Sequence, residues 1–209
     1  MASGIKQVIA ASLRLASTSA AAEGNYKGYE APPYTVEQQI GTAEIRLYQP
    51  HLIAEVTVSG PQDQALRRGF SVLAGYIFGG NTSAASIDMT SPVAQRPSEK
   101  IAMTTPVTQS GGGDSWTVSF TMPTQYTRDT LPTPKTDQIR FVETTPQRQL
   151  VLQFSGLAGT AKLDSRAADL RTIADQAGVT LGAGPFYYFY DAPFTLPWAR
   201  RNEVAFNVN

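Results

Sequence analysis

The chain has 209 residues, of which 42% are apolar and 16% charged, so it can bury a real hydrophobic core and is not a disordered polymer. Its 17 basic and 17 acidic residues cancel, which argues against a dedicated nucleic-acid binder. Cysteine is absent and His51 is the single histidine. Disulfides, thiolate metal sites, a cysteine nucleophile and a Cys/His zinc site are therefore excluded, and His51 alone is available to a Ser-His-Asp triad.

Residues 1–24 differ in composition from 25–209, which read as one domain. Met1–Ala22 carries Lys6 and Arg14 and no acid. It fits a secretory signal, with Lys6 as the basic region, Val8–Ala16 as the apolar region and Ala20-Ala21-Ala22 as the cleavage site. It also fits an amphipathic helix with Ile5, Val8, Ile9, Leu13 and Ala16 on one face, or a plain extension. A signal would send the protein to the periplasm; the other readings leave it in the cytoplasm. No stretch reaches the ~20 apolar residues of a membrane span.

Lys27–Val36, with Pro32 and Pro33, reads as an extended lead-in. Ile40–Val58 reads as strand, with Pro50 marking an edge or bulge. A helix is expected over Gln62–Phe78, capped by Asp63, with Leu66, Phe70, Leu73 and Ile77 at helical spacing and Gly79-Gly80-Asn81 at its end. Then one phrase occurs twice: Ile87-Asp88-Met89-Thr90-Ser91-Pro92-Val93 and Ile101-Ala102-Met103-Thr104-Thr105-Pro106-Val107. Each copy reads as a short strand ending at its proline. Trp116–Met122 is a further strand, with Trp116, Val118 and Phe120 alternating against Ser and Thr.

The second half echoes the first. Leu152–Gly156 resembles Val56–Gly60. A helix follows over Ser165–Ala177, capped by Asp164 and ended by Gly178. The aromatic strand Phe186–Tyr190 runs into Ala192-Pro193-Phe194 much as Met89 runs into Ser91-Pro92-Val93, and Glu203–Val208 matches Trp116–Phe120. Strand, helix, strand, strand thus occurs twice. The expected fold is α+β: two helices flanking an antiparallel sheet or distorted β-barrel built from a pseudo-duplicated βαββ unit.

The doubled phrase, the helix end Gly75-Tyr76-Ile77-Phe78-Gly79-Gly80-Asn81, the strand Glu44–Pro50, and Pro193-Phe194 with Arg200-Arg201-Asn202-Glu203-Val204 together resemble the SOUL/haem-binding family. The likeness runs from Tyr34 to Asn207. It implies a distorted barrel with two helices, similar to the effector-binding domains of some bacterial multidrug-responsive regulators. It also implies binding of haem b or another porphyrin in a shallow apolar pocket, as carrier or buffer. One branch of the family is linked to removing the metal from haem.

Imidazole is the usual axial donor to haem iron. In some family members a histidine sits at the position filled here by Leu47, so that ligand is missing. His51 lies further along the same segment and faces the same side if the strand is continuous. Met89 and Met103 could donate thioethers, although methionine in a strand is usually core filler. Alternation places Tyr187 and Phe189 on one face and Phe186, Tyr188 and Tyr190 on the other. One face suits the core, and the other suits solvent or a pocket wall. Tyr76 and Phe78 are further wall candidates. Arg200 and Arg201 could fork propionates, with Arg46, Arg67 and Arg68 as rivals; against that stands a plain Arg201–Glu203 ion pair.

No acid pair or phosphate loop stands out, and Gly111-Gly112-Gly113 lacks the lysine a phosphate loop needs. Three functions stay open: a tetrapyrrole carrier, a tetrapyrrole-modifying enzyme such as a dechelatase, and a small-molecule module that never meets haem. The sequence leaves oligomeric state open.

Overall fold

The structure is a computed structural model that describes residues 24–83 and 98–209. The first copy of the repeated phrase, with Met89, and the N-terminal segment lie outside them. Strands β1 (Asn25–Tyr26) and β2 (Tyr29–Glu30) form a hairpin, followed by β3 (Tyr34–Ile40), β4 (Ala43–Tyr48), β5 (Leu52–Ser59), helix α1 (Gln62–Ile77) and β6 (Asn81–Thr82). Next come β7 (Val107–Gly112), β8 (Ser115–Thr121), β9 (Thr133–Pro134), β10 (Arg140–Glu143), β11 (Gln147–Phe154), helix α2 (Thr160–Ala177), β12 (Phe186–Phe189) and β13 (Asn202–Asn207).

Nine strands form one antiparallel sheet in the order β10-β5-β8-β7-β12-β13-β11-β4-β3. The order is symmetric about the β7–β12 pair. Unit β5-α1-β7-β8 supplies one side and unit β11-α2-β12-β13 the other, so the duplicated βαββ reading holds. The units also exchange strands: β4, which leads into β5, pairs with β11, and β10, which leads into β11, pairs with β5.

This exchange forces the sheet to curl. β4 and β5 lie eighth and second in the order, about 29 Å apart if the sheet were flat at ~4.8 Å per strand. The chain from Tyr48 to Leu52 can reach at most about 14 Å. The sheet therefore bends into a half-barrel that stays open, its edges being β10 and β3. The links 49–51 and 144–146 meet where it bends: Thr144 N–H donates to His51 O at 2.9 Å, and His51 N–H to Thr144 Oγ1 at 2.9 Å. The continuous strand expected over Ile40–Val58 is thus two strands on opposite sides of the sheet, broken at Pro50.

Both helices pack on the outer face. Leu73, Tyr76 and Ile77 of α1 pack with Ala54, Val56, Val118 and Phe120. Leu163, Ala167, Leu170 and Ala174 of α2 pack with Ile45, Leu150, Val204 and Phe206. At Gly69 a Cβ would lie 2.6 Å from Val118 Cβ, so glycine lets α1 lie directly on β8.

Several boundaries differ from expectation. Lys27–Val36 is not a plain lead-in: Lys27 and Gly28 take positive φ and turn the β1–β2 hairpin. Pro61, not Asp63, precedes α1, and Asp63 instead pairs with Arg67 one turn on. Helix α2 starts at Thr160 behind Gly159, placing Asp164 inside it, and ends at left-handed Gly178 as expected. Ile101–Pro106 is no strand. Its amides bond sideways, Ile101 to Ile77 O and Thr105 to Glu30 O, and pairing starts only at Val107.

Candidate ligand-binding site

Among the described residues, no helix packs on the inner face of the curl. Strand alternation sends Trp116, Val118 and Phe120 outward to α1 and α2 and turns Thr117, Ser119 and Thr121 inward. Likewise Tyr187 packs under α2, while Phe186, Tyr188 and Tyr190 face inward. These inward residues line a cavity of about 160 Å³. One wall is built of small hydroxyls from β7 and β8; the other is aromatic, with Tyr48, Phe186, Tyr188 and Tyr190. His51 and Thr144 stand where the two links cross.

Below the aromatic wall lies a buried ionic network. Arg46 donates to both Glu203 oxygens at 3.0 Å and to Glu44 at 2.8 Å. Arg201 reaches Glu203 at 2.8 Å, so the expected ion pair is present. Tyr190 OH donates to Glu203 at 3.1 Å, and Tyr48 OH accepts from Arg46 at 3.3 Å. The Arg46 guanidinium lies over the Tyr34 ring and that of Arg201 over Tyr190, at 4.4 and 4.3 Å from the centroids. Glu203 is fully buried. Burial opposes the charge on Arg46, and the Glu203 carboxylate more than offsets it, holding Arg46 firmly protonated.

Burial, together with that carboxylate, pushes Tyr48 and Tyr190 well above the ordinary phenol value. Burial also raises Tyr188, whose hydroxyl donates to Gln149 Oε1 at 2.6 Å. These phenols are protonated at neutral pH.

His51 is the contrasting group. Burial lowers its pKa, offset in part by the Gln49 carbonyl, so the ring is neutral at pH 7. Nδ1 lies 2.8 Å from Gln49 O. A carbonyl can only accept, so Nδ1 carries the proton and Nε2 keeps a lone pair. Among the described residues Nε2 has no hydrogen-bond partner.

The remaining sequence candidates scatter. Leu47 faces outward with Ala43 and Ile45, opposite Tyr48 and the cavity. Because the chain breaks at Pro50, Leu47 and His51 do not share a strand face. Tyr76 is buried beneath α1, its hydroxyl donating to Pro132 O at 2.8 Å. Phe78 is exposed at the end of α1, and Met103 is partly exposed on the lead-in to β7. Arg200 bonds Thr195 O at 2.7 Å and Pro193 O. Among the described candidates, His51 and Tyr188 line the cavity, together with Phe186 and Tyr190 from the same aromatic face. Sequence reading missed Tyr48, Thr144 and the hydroxyl wall, although the inward Thr-Ser-Thr alternation of β8 was visible.

Half-barrels of this kind recur in solved structures at very low identity. The EcmrR C-terminal domain matches with TM-score 0.58 and 10% identity, over 80% of this chain and 96% of that one. A hydrolase from Listeria innocua matches with TM-score 0.54 and 9% identity, over 80% of this chain and 92% of that one. These likenesses define an α+β half-barrel fold and nothing finer. Sequence comparison goes further: the SOUL heme-binding protein family matches residues 29–207. The chain belongs to that family. Heme-binding protein 1 of Xenopus laevis is 34% identical, over 79% of this chain and 83% of the relative. Heme-binding protein 1 of Sus scrofa is 31% identical over 69% and 71%, and Heme-binding protein 2 of Mus musculus 27% over 82% and 80%. Family membership supports a haem or porphyrin ligand. No helix among the described residues is long and apolar enough to cross a membrane.

Proposed function

We propose that this protein binds haem b reversibly on the inner face of the half-barrel, as a carrier or buffer, with His51 Nε2 as the iron donor. The observation that carries this reading is the His51 ring: neutral, fixed through Nδ1 by the Gln49 carbonyl, and holding a free Nε2 lone pair at the cavity. Haem-ligating imidazoles are oriented in this way, with the second nitrogen donating to a carbonyl or carboxylate. The absence of cysteine rules out thioether attachment and favours haem held without covalent bonds.

The cavity is smaller than the ~300–1,000 Å³ of sites that engulf a drug-sized ligand, so a porphyrin would be gripped along one edge. The Tyr48 and Tyr188 rings would pack on that edge, and the rest of the macrocycle would stay exchangeable. That suits carriage. Arg201 already holds Glu203 and Arg200 holds loop carbonyls, so neither is assigned a propionate.

The test is a haem titration followed by visible absorption, run in parallel on His51→Ala. The expected result is a saturable, shifted Soret band in the wild type and an affinity about tenfold or more weaker in the variant, the scale of one lost metal–ligand bond offset by apolar contact. An unchanged band in the variant removes His51 as donor. No saturable band in the wild type sinks the haem reading.

A further inference from the structure

The loop joining β12 to β13 holds large apolar side chains in water. Phe194 is 90% exposed, Trp198 74% and Leu196 55%, and Leu157, on the neighbouring loop, is 63% exposed. The two loops are joined: Gly156 N–H donates to Pro197 O at 2.9 Å. Such a cluster on an ordered surface marks a site of contact.

The loop is held rigidly. Arg200 donates to Thr195 O and Pro193 O. Thr195 N–H bonds Ala192 O, and Ala199 N–H bonds Leu196 O, each at 2.9 Å. Pro193 and Pro197 fix φ at two more points. Little conformational entropy is therefore left to lose when the tip is buried.

Its charge is one-sided. The loop's one acid, Asp191, is 5% exposed at its side chain and is held by Lys27 at 2.6 Å, Tyr26 OH and the Arg201 amide. Lys27 is half exposed and also reaches Ala199 O at 3.3 Å. Arg200 sits at the base of the tip, where its guanidinium bonds the loop carbonyls. The chain as a whole carries no net charge, so this cationic rim is local.

We propose that this knuckle docks the protein on an anionic lipid bilayer, placing Phe194, Leu196 and Trp198 in the interfacial layer and Lys27 and Arg200 among the headgroups. A convex apolar tip needs no shaped receptor in lipid, and aromatic and leucine side chains ringed by cations are the composition that layer favours. Docking is reversible, since a few interfacial side chains give only marginal anchoring.

The test uses the full chain without haem, so it is independent of the proposed ligand. The two tryptophans report different places: Trp116 is 9% exposed and Trp198 74%. Vesicles of equimolar phosphatidylcholine and phosphatidylglycerol should shift emission to the blue and, when brominated, quench it. Both effects should shrink with pure phosphatidylcholine or added salt. The double variant Phe194→Ser/Leu196→Ser keeps the Trp198 reporter and should partition about tenfold or more weaker, given the apolar area lost from the layer. These side chains are exposed, so the fold is untouched.

Three results would overturn the proposal. The wild type could ignore anionic vesicles. The double variant could partition like wild type, which moves lipid contact to another segment such as residues 1–23. A blue shift could arise without lipid alongside a dimer mass, which makes the tip a self-association surface.

Discussion

The two halves of the sheet share a backbone and differ on one face. Outward, both present Val, Leu, Ile and Phe to a helix. Inward, β7 and β8 present Thr108, Ser110, Thr117 and Ser119, whereas β12 and β4 present aromatics over the Arg46–Glu203–Arg201 network. A duplicated unit must keep its helix-facing side apolar in both copies, because that side is the core. The inner face is under no such demand, and there the halves have diverged into a wall with room and a wall with rigidity. The proposed ligand site lies on the face that was free to differ.

Removing the charge at the centre of the rigid wall should have the largest effect. Glu203→Ala leaves Arg46 and Arg201 buried without their carboxylate. Breaking a buried ion pair from one side costs about 3–5 kcal/mol, to be read from urea unfolding midpoints. A loss below about 1 kcal/mol, the scale of exposed pairs, would show the network to be solvated and the contrast between the walls overstated.

The roomy wall is tested from the opposite direction. Ser119 lies on β8 between Thr108 and Glu55 and lines the cavity. Ser119→Phe fills the space with a ring and leaves the helix-facing core alone. Haem affinity should fall about a hundredfold, equivalent to about 2.7 kcal/mol, with the unfolding midpoint nearly unchanged. Normal binding in this variant would place the ligand elsewhere on the fold.

The sequence shows the α+β class, both helices and the doubled unit, because these rest on local periodicity. Trp116, Val118 and Phe120 alternate, and Leu66, Phe70, Leu73 and Ile77 recur at helical spacing, whatever surrounds them. The strand exchange was not legible. Pro50 reads equally as a bulge within one strand or as a crossing between two, and only the pairing of β4 with β11 decides. The start of α2 was missed because Gly159 gives no side-chain cap while Asp164 imitates one. The hairpin at Lys27-Gly28 was missed because its strands are two residues each. At the site, the aromatic alternation of Phe186–Tyr190 correctly separated inner from outer side chains. The partnership of Arg46 with Glu203 spans 157 positions, and no local pattern encodes it.

The smallest expected effect is the pH response of His51, and it separates its two roles. The native pKa is lowered from 6.5 by burial. Between 6.5 and that lower value the unfolded chain binds a proton at His51 that the native chain refuses. Stability therefore falls as pH drops through this window and levels off below the native pKa. His51→Ala removes that slope. Haem binding through Nε2 should persist at 6.5, where a free imidazole is half protonated, and weaken only below it. A Soret titration that turns over at or above 6.5 would mean that the ring is not buried as the Gln49 and Thr144 contacts imply. A titration flat throughout the window, in wild type and His51→Ala alike, would mean that the iron takes its ligand from another group.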